Sequence, residues 1–179
     1  MNLSRGLFIG RFQPFHLGHK SCIDFALGKV EDLIIVVGSS QISHELRNPF
    51  TAGERILMIK DSLNADPKID HKKLLIIPIA DINIHSVWSA YIRIMVPKYD
   101  TVFANDTFTK LLFNKDGTKI VEPPAHRRME LSGTLIRKRI LDGLRWTHLV
   151  PLGTQRVIRE VDGVSRLKQL SVISRGSGT

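Results

Sequence analysis

The sequence has one cysteine, Cys22, in 179 residues. No intramolecular disulfide and no cysteine-rich zinc site can therefore form, and a reducing compartment is the simple expectation. No apolar run approaches the roughly 18 residues of a membrane span. The strand-like run Leu7-Phe8-Ile9 comes too soon after Met1 for a signal peptide, so the expected location is the cytoplasm, with no membrane partner. Aromatics are few (8 Phe, 2 Tyr and 2 Trp) and show no RNA-binding pattern. Two phosphate-binding signatures are missing as well. No Gly-x-x-x-x-Gly-Lys-Ser/Thr occurs, and no Gly-x-Gly-x-x-Gly follows the first strand. Carboxylates form no dense cluster, so no protein-held metal site is expected.

What is present is positive charge: 26 Lys+Arg against 17 Asp+Glu, a formal net charge of +9. Such an excess suits either a nucleic-acid surface or a pocket for small polyanions. The remaining composition, 42% hydrophobic and 24% charged, is that of an ordinary globular chain. At this length a single domain can bury roughly 70% of its unfolded surface.

Short apolar, β-branched runs alternate with helix-period segments, the pattern of a mostly parallel sheet covered by helices on both faces. Strands are expected at Leu3 to Ile9, Asp32 to Ser39, Lys73 to Pro78, Thr101 to Ala104 and Lys119 to Val121. Helices are expected at Leu17 to Leu27, Thr51 to Leu63, Val87 to Val96, Thr107 to Phe113 and Gly133 to Asp142. The fold class is thus α/β: a Rossmann-like, doubly wound, mostly parallel sheet with a small C-terminal helical appendage. Residues 1–150 would form the domain, 151–173 a helical extension of it, and 174–179 a disordered tail. Asp116-Gly117 has the composition of a tight turn.

The chemistry concentrates between the first strand and the first helix, in Gly10-Arg11-Phe12-Gln13-Pro14-Phe15-His16-Leu17-Gly18-His19. Open α/β sheets bind ligands at such a place, where a helix N-terminus offers free N–H groups and a positive dipole end. Gly10 lets the chain leave the strand. His16 and His19 fall on nearly the same side of the helix start, and Gly18 removes a side chain between them. A half metal site or a pair of core or capping histidines are the alternatives to an anion site. A second cradle is legible in Ser132-Gly133-Thr134-Leu135-Ile136-Arg137, where Ser132 is a good N-cap and Arg137 lies one turn further along the same face. Alone it could be an ordinary capped helix with a solvated arginine, but its pairing with the first segment favours a phosphate role.

The first of these stretches resembles the His-x-Gly-His signature of the nucleotidyltransferase superfamily. Its longer form, with Arg11-Phe12-Gln13-Pro14, resembles the archaeal-type nicotinamide-nucleotide adenylyltransferases. Ser132 to Arg137 is similar to the superfamily's late motif, and Arg47-Asn48-Pro49-Phe50-Thr51-Ala52-Gly53-Glu54-Arg55 to the segment that leads into the family's second helix. The resemblance implies an ATP site made of Gly10, Arg11, Phe12, His16, Gly18, His19, Ser132, Gly133, Thr134 and Arg137. His16, His19, Arg11 and Arg137 would carry catalysis. Nicotinamide mononucleotide (NMN) would be held by Arg47, Asp81, Asn83 and Trp88, the last stacking on the pyridine ring unless it is a plain core aromatic. Asn105 and Arg127 are further candidate nucleotide contacts, Asn105-Asp106 being equally readable as a helix cap.

The implied reaction moves AMP from ATP to the mononucleotide phosphate, giving NAD and pyrophosphate, with Mg²⁺ riding on the ATP phosphates. The implied assembly is a homo-oligomer, often a hexamer in such relatives, to which Gln155 to Leu170 could contribute. A nucleotidyltransferase using another phosphate acceptor, such as phosphopantetheine, is the nearest rival. A basic nucleic-acid-binding domain is a distant one, so no nucleic-acid partner is expected.

Overall fold

A computed structural model describes residues 4–82, 84–114, 117–124 and 131–176. Five strands form one parallel sheet in the order β3-β2-β1-β4-β5. They are β1 (Arg5–Gly10), β2 (Asp32–Val37), β3 (Leu74–Pro78), β4 (Thr101–Phe103) and β5 (Lys119–Val121). The helices are α1 (Leu17–Leu27), α2 (Ala52–Asn64), α3 (Trp88–Met95), α4 (Thr107–Asn114), α5 (Gly133–Leu141), α6 (Leu152–Glu160) and α7 (Gly163–Gly176). This is the Rossmann-like, doubly wound architecture that the alternation of runs predicts. The winding grows outward from β1 to β3, then returns to place β4 on the other side of β1. The crevice at that reversal lies beyond the carboxyl ends of β1 and β4.

The strands hold the centre because both faces of the sheet are covered. Leu33 through Val37 are all fully buried. Leu33, Ile35 and Val37 pack with Phe8, Ile23, Met58 and Ile158 on one side, while Ile34 and Val36 pack with Leu7, Ile92, Val102 and Phe113 on the other. Each such side chain contributes about 1.5–3 kcal/mol of burial. Continuous rather than alternating hydrophobicity is what two-sided burial requires.

The C-terminal helices join the same body. At Gly153 in α6 a β-carbon would collide with the backbone of Asp61 and Ser62, so the glycine lets α6 lie directly on α2. Gly163 at the start of α7 packs against the Phe50 ring in the same way. Arg166 of α7 donates to both carboxylate oxygens of Glu54, at 2.7 and 2.9 Å, and to the Pro49 carbonyl at 3.2 Å. Glu54 also accepts the Thr51 amide in the capping box that begins α2. α7 thus clamps the segment that leads into α2. The helix also reaches Gly176, three residues past Ile173, so residues 174–176 are helical where sequence composition suggested a tail. The Asp116 half of the expected Asp116-Gly117 turn lies outside the described residues, while Gly117 takes a positive φ of 67°.

Candidate active site

The loop leaving β1 is set by its own side chains. Phe12 sits at φ 51°, a left-handed conformation costly for a bulky residue, and is held there by burial. Its ring occupies the space that a β-carbon on Gly10 would need, 2.8 Å away. Gln13 is buried and pairs with the backbone of Phe50: its amide Nε2 donates to the Phe50 carbonyl at 2.8 Å, and its Oε1 accepts the Phe50 N–H at 3.0 Å. The Gln13–Pro14 peptide bond is cis.

His16 is the N-cap of α1, and His19 is its third helical residue. The His19 N–H donates to Nδ1 of His16, and the His16 N–H donates to Nδ1 of His19, each at 3.3 Å. This is a capping box built from two imidazoles. An Nδ1 that accepts carries no proton, so each neutral ring bears its hydrogen on Nε2. The rings stack with centroids 3.5 Å apart, and Phe12 and Phe15 close round His19 at 4.7 and 5.7 Å. Burial lowers the His16 pKa to about 4. Burial, and then the neighbouring His16, push His19 well below its usual value. Both histidines are therefore neutral Nε2–H donors near pH 7. Both cap α1, and both line the pocket between α1 and α5.

α5 brings the second motif to the first. The Ser132 hydroxyl caps α5 by accepting the Leu135 N–H at 3.2 Å. A β-carbon on Gly133 would meet the Gln13 carbonyl oxygen at 2.7 Å, and Arg137 Nη1 donates to that same oxygen at 2.6 Å. Arg137 Nη2 also reaches the Thr134 hydroxyl at 3.4 Å. Burial first, then repulsion from Arg11 and Arg47, lowers the Arg137 pKa to about 10, so it stays charged. Three guanidinium groups thus share one field, which locates part of the +9.

A pocket of about 420 Å³ opens between these elements. Arg11, Phe12, His16, Gly18 and His19 line it from the β1–α1 side, and Ser132, Gly133, Thr134 and Arg137 line it from α5. Asn105 and Asp106 line it from the end of β4. Asp106 is the cap of α4, its Oδ1 accepting the Thr109 N–H at 2.7 Å, whereas Asn105 donates to Cys22 Sγ at 3.9 Å within the pocket wall. Gly18 also has a packing reason: a β-carbon there would meet the His16 ring and Leu131 at 3.1–3.2 Å. Gly10 underlies the loop and is not in the lining.

The other candidates stand apart from this lining. Arg47 is exposed on the segment before α2. Asp81 turns its carboxylate to Ser39, accepting the Ser39 hydroxyl at 2.6 Å and the Ser39 N–H at 3.2 Å, at the carboxyl ends of β2 and β3. Trp88 begins α3, half-buried, with its ring edge-on to Phe113 at 5.9 Å. Asn83, Arg127 and Arg128 lie outside the described residues. Among the described residues no group of three or more His, Cys, Asp or Glu could hold a metal ion. Sequence reasoning assigned nothing to Gln13 or Arg55, whose partners are main-chain atoms of distant residues. Nor did it find Phe8, Ile9, Ala104, Pro124 or Leu131, apolar lining residues that carry no compositional mark.

Comparison with known proteins supplies the family. Residues 7–139 match the family model described as cytidylyltransferase-like. A nicotinamide-nucleotide adenylyltransferase from Methanocorpusculum labreanum is 43% identical over 169 residues, covering 94% of this chain and 98% of the relative. One from Archaeoglobus fulgidus is 44% identical over 170 residues, with 93% and 97% covered. Among solved structures, a bifunctional NMN adenylyltransferase/ADP ribose pyrophosphatase from Francisella tularensis superposes with a TM-score of 0.80 at 22% identity. That match covers 93% of this chain and 53% of the neighbour, so the chain spans about half of the bifunctional protein. A nicotinic acid mononucleotide adenylyltransferase from Plasmodium falciparum gives 0.64 at 13% identity, with 91% and 98% covered. At these identities the two structures show a common fold.

Proposed function

The chain belongs to the cytidylyltransferase-like family and, within it, to the nicotinamide-nucleotide adenylyltransferases, and from that membership we propose how its crevice carries out the family's reaction. The enzyme transfers AMP from ATP to the phosphate of NMN. A phosphate oxygen of the mononucleotide attacks the ATP α-phosphorus, the bond to the bridging oxygen breaks, and pyrophosphate leaves with that electron pair. A phosphate monoester loses its second proton near pH 6, so the nucleophile is already ionised and no general base is required. The protein's task is alignment and charge stabilisation.

The observation that carries this reading is the pair of stacked, neutral imidazoles whose Nε2–H donors share a pocket with Arg137. In this scheme His16 and His19 donate to the α- and β-phosphate oxygens. Being neutral and already locked in one tautomer, they need no reorganisation as charge builds on those oxygens. Arg11 and Arg137 clamp the triphosphate, with Phe12, Gly18 and the first turn of α5 (Ser132, Gly133 and Thr134) shaping its bed and Gly10 turning the chain into it. Asn105, at the end of β4, is a further nucleotide contact. Arg47, Asp81, Asn83 and Trp88 take the acceptor, Trp88 stacking on the pyridine ring.

The pocket's charged side chains are two guanidinium groups, Arg11 and Arg137, against one carboxylate, Asp106, which already caps α4, a set suited to phosphate oxygens rather than to a cation. Mg²⁺ would therefore enter as part of the ATP complex, held by phosphates and water, and neutralise the leaving pyrophosphate. The same reading has the enzyme working in the cytoplasm as a homo-oligomer, a hexamer in the archaeal-type pattern. Exposed Leu152, Val172 and Ile173 on α6 and α7 offer apolar surface for such contacts.

The test is a comparison of acceptors. With ATP and Mg²⁺, NMN should give NAD and pyrophosphate in equal amounts, and phosphopantetheine should give no adenylylated product. Turnover of phosphopantetheine without NAD formation from NMN would overturn the assignment.

A further inference from the structure

Among the described residues Arg55 is the largest of the fully buried side chains, and each hydrogen bond it makes to them goes to a main-chain carbonyl. Nε donates to Thr51 at 3.1 Å, Nη1 to Arg11 at 2.9 Å and to Gly38 at 2.7 Å, and Nη2 to Ser39 at 3.0 Å. A buried guanidinium usually faces a carboxylate, because desolvating a lone charge is expensive. Here Asp81 and Glu54 act only through space, and the hydrogen-bonding oxygens are dipoles supplied by three chain segments: the end of β1, the end of β2 and the entry to α2.

We propose that Arg55 is a positioning residue for adenylyl transfer, fixing the Arg11 peptide so that the Arg11 side chain lies across the phosphates. The proposal rests on the role given to Arg11 above. The Arg11 carbonyl belongs to the peptide that leads into Phe12 at φ 51°, and the bond from Arg55 holds that peptide in one orientation. The other anchor is equally constrained. Ser39 is itself left-handed, at φ 50°, and its N–H and hydroxyl are both taken by Asp81. The Ser39 N–H shares its peptide plane with the Gly38 carbonyl, so the bond to Asp81 fixes the direction of that carbonyl, and Arg55 Nη1 links it to the Arg11 peptide. Asp81, a residue on the acceptor side, is thereby joined to an ATP-side arginine through Ser39 and Arg55.

Lysine could not substitute. Its three donors radiate from one atom, whereas these four carbonyls are met by three nitrogens of a planar fork. The guanidinium also stays charged, burial lowering its pKa only to about 10.

The test is a double-mutant cycle on the full chain between Arg55→Lys and Arg11→Ala, with kcat, KM for each substrate and thermal unfolding measured for all four proteins. Arg55→Lys should melt cooperatively yet lose at least about tenfold in kcat, as expected when a reactive group is displaced by a fraction of an ångström. In the Arg11→Ala background the same change should cost less than about twofold, because the group it positions is gone. An equal loss in both backgrounds, or a lowered Tm with unchanged kcat, overturns the role of Arg55 while leaving that of Arg11 in place. A wild-type rate in Arg11→Ala alone instead overturns the role of Arg11, and the proposal with it. If Arg55→Lys does not fold, Ser39→Gly takes its place, loosening the Asp81 tether with the guanidinium intact. The same non-additivity is expected, and additive losses contradict the proposal.

Discussion

His16 and His19 cap each other: each ring nitrogen Nδ1 accepts the other residue's backbone N–H, and the two rings stack with centroids 3.5 Å apart. Helix capping and tautomer selection are thus one arrangement. The His19 N–H in the first turn of α1 is satisfied, and in the proposed reaction both Nε2–H groups are left to donate to phosphate oxygens.

The two jobs of His16 can be separated by substitution. Asparagine can still accept the His19 N–H but has no group at the Nε2 position. His16→Asn should keep stability within about 1 kcal/mol of wild type, whereas His16→Ala should lose roughly that amount through the missing cap. Both should be slow, by about 100-fold in kcat. An Asn variant that restores the rate would place the importance of His16 in the cap alone.

Stability should fall in mildly acidic solution. The unfolded histidines take up protons near pH 6.5, while folded His16 does so only near 4. Between those values the unfolded state binds more protons, so ΔG of unfolding rises with pH there and decreases as pH falls below 6.5. For His16 the full effect is roughly 3 kcal/mol, and His19 adds in the same direction. Glu54 behaves differently. Burial alone would raise its carboxyl pKa, but Arg166 and the Thr51 amide outweigh that and hold it below 4.5, so its share is lost only on further acidification. A Tm falling between pH 7 and 5, and falling less in His16→Asn, is the expected record. A flat Tm over that interval would contradict the buried neutral pair.

Gly133→Ala reverses the usual sign. At an unhindered helix position this change gains about 0.5–1 kcal/mol. Here the added β-carbon meets the Gln13 carbonyl oxygen, which Arg137 also grips, so α5 must shift away from the β1–α1 loop. Lower stability and a several-fold higher KM for ATP are expected. Enzyme kinetics and a thermal melt together check both.

The acceptor side has its own marker. Trp88→Ala should raise KM for NMN with little change for ATP. Because Trp88 also packs on Phe113, some loss of stability will accompany it. An unchanged KM for NMN would assign the ring to packing only.

Arg166→Met should cost about 2 kcal/mol, a fall in Tm of roughly 4–8 °C, since it removes charge-assisted hydrogen bonds to partly buried Glu54. A Tm change under about 1 °C would mean that α7 does not brace the entry to α2.

Much of this was legible in the sequence, for physical reasons. Two-sided burial makes Leu33 to Val37 uniformly apolar, and the small and donor residues of Gly10 to His19 and Ser132 to Arg137 marked the two segments that the fold brings to one pocket. Arg55 left no such trace. Its partners Arg11, Gly38 and Ser39 are 44, 17 and 16 positions away and contribute only carbonyls, which every residue type possesses. Asn105-Asp106 was ambiguous because either side chain can cap. Only the fold assigns the cap to Asp106 and turns Asn105 toward the pocket. The end of α7 was obscured by a serine- and glycine-rich composition, although the helix runs on to Gly176.

The most direct test is the rate of NAD formation from saturating ATP and NMN with Mg²⁺, wild type against His19→Ala. The expected result is NAD production by the wild type and a kcat at least about 100-fold lower in a variant that keeps a cooperative melt. A folded His19→Ala enzyme turning over at close to the wild-type rate would contradict the role of the paired imidazoles.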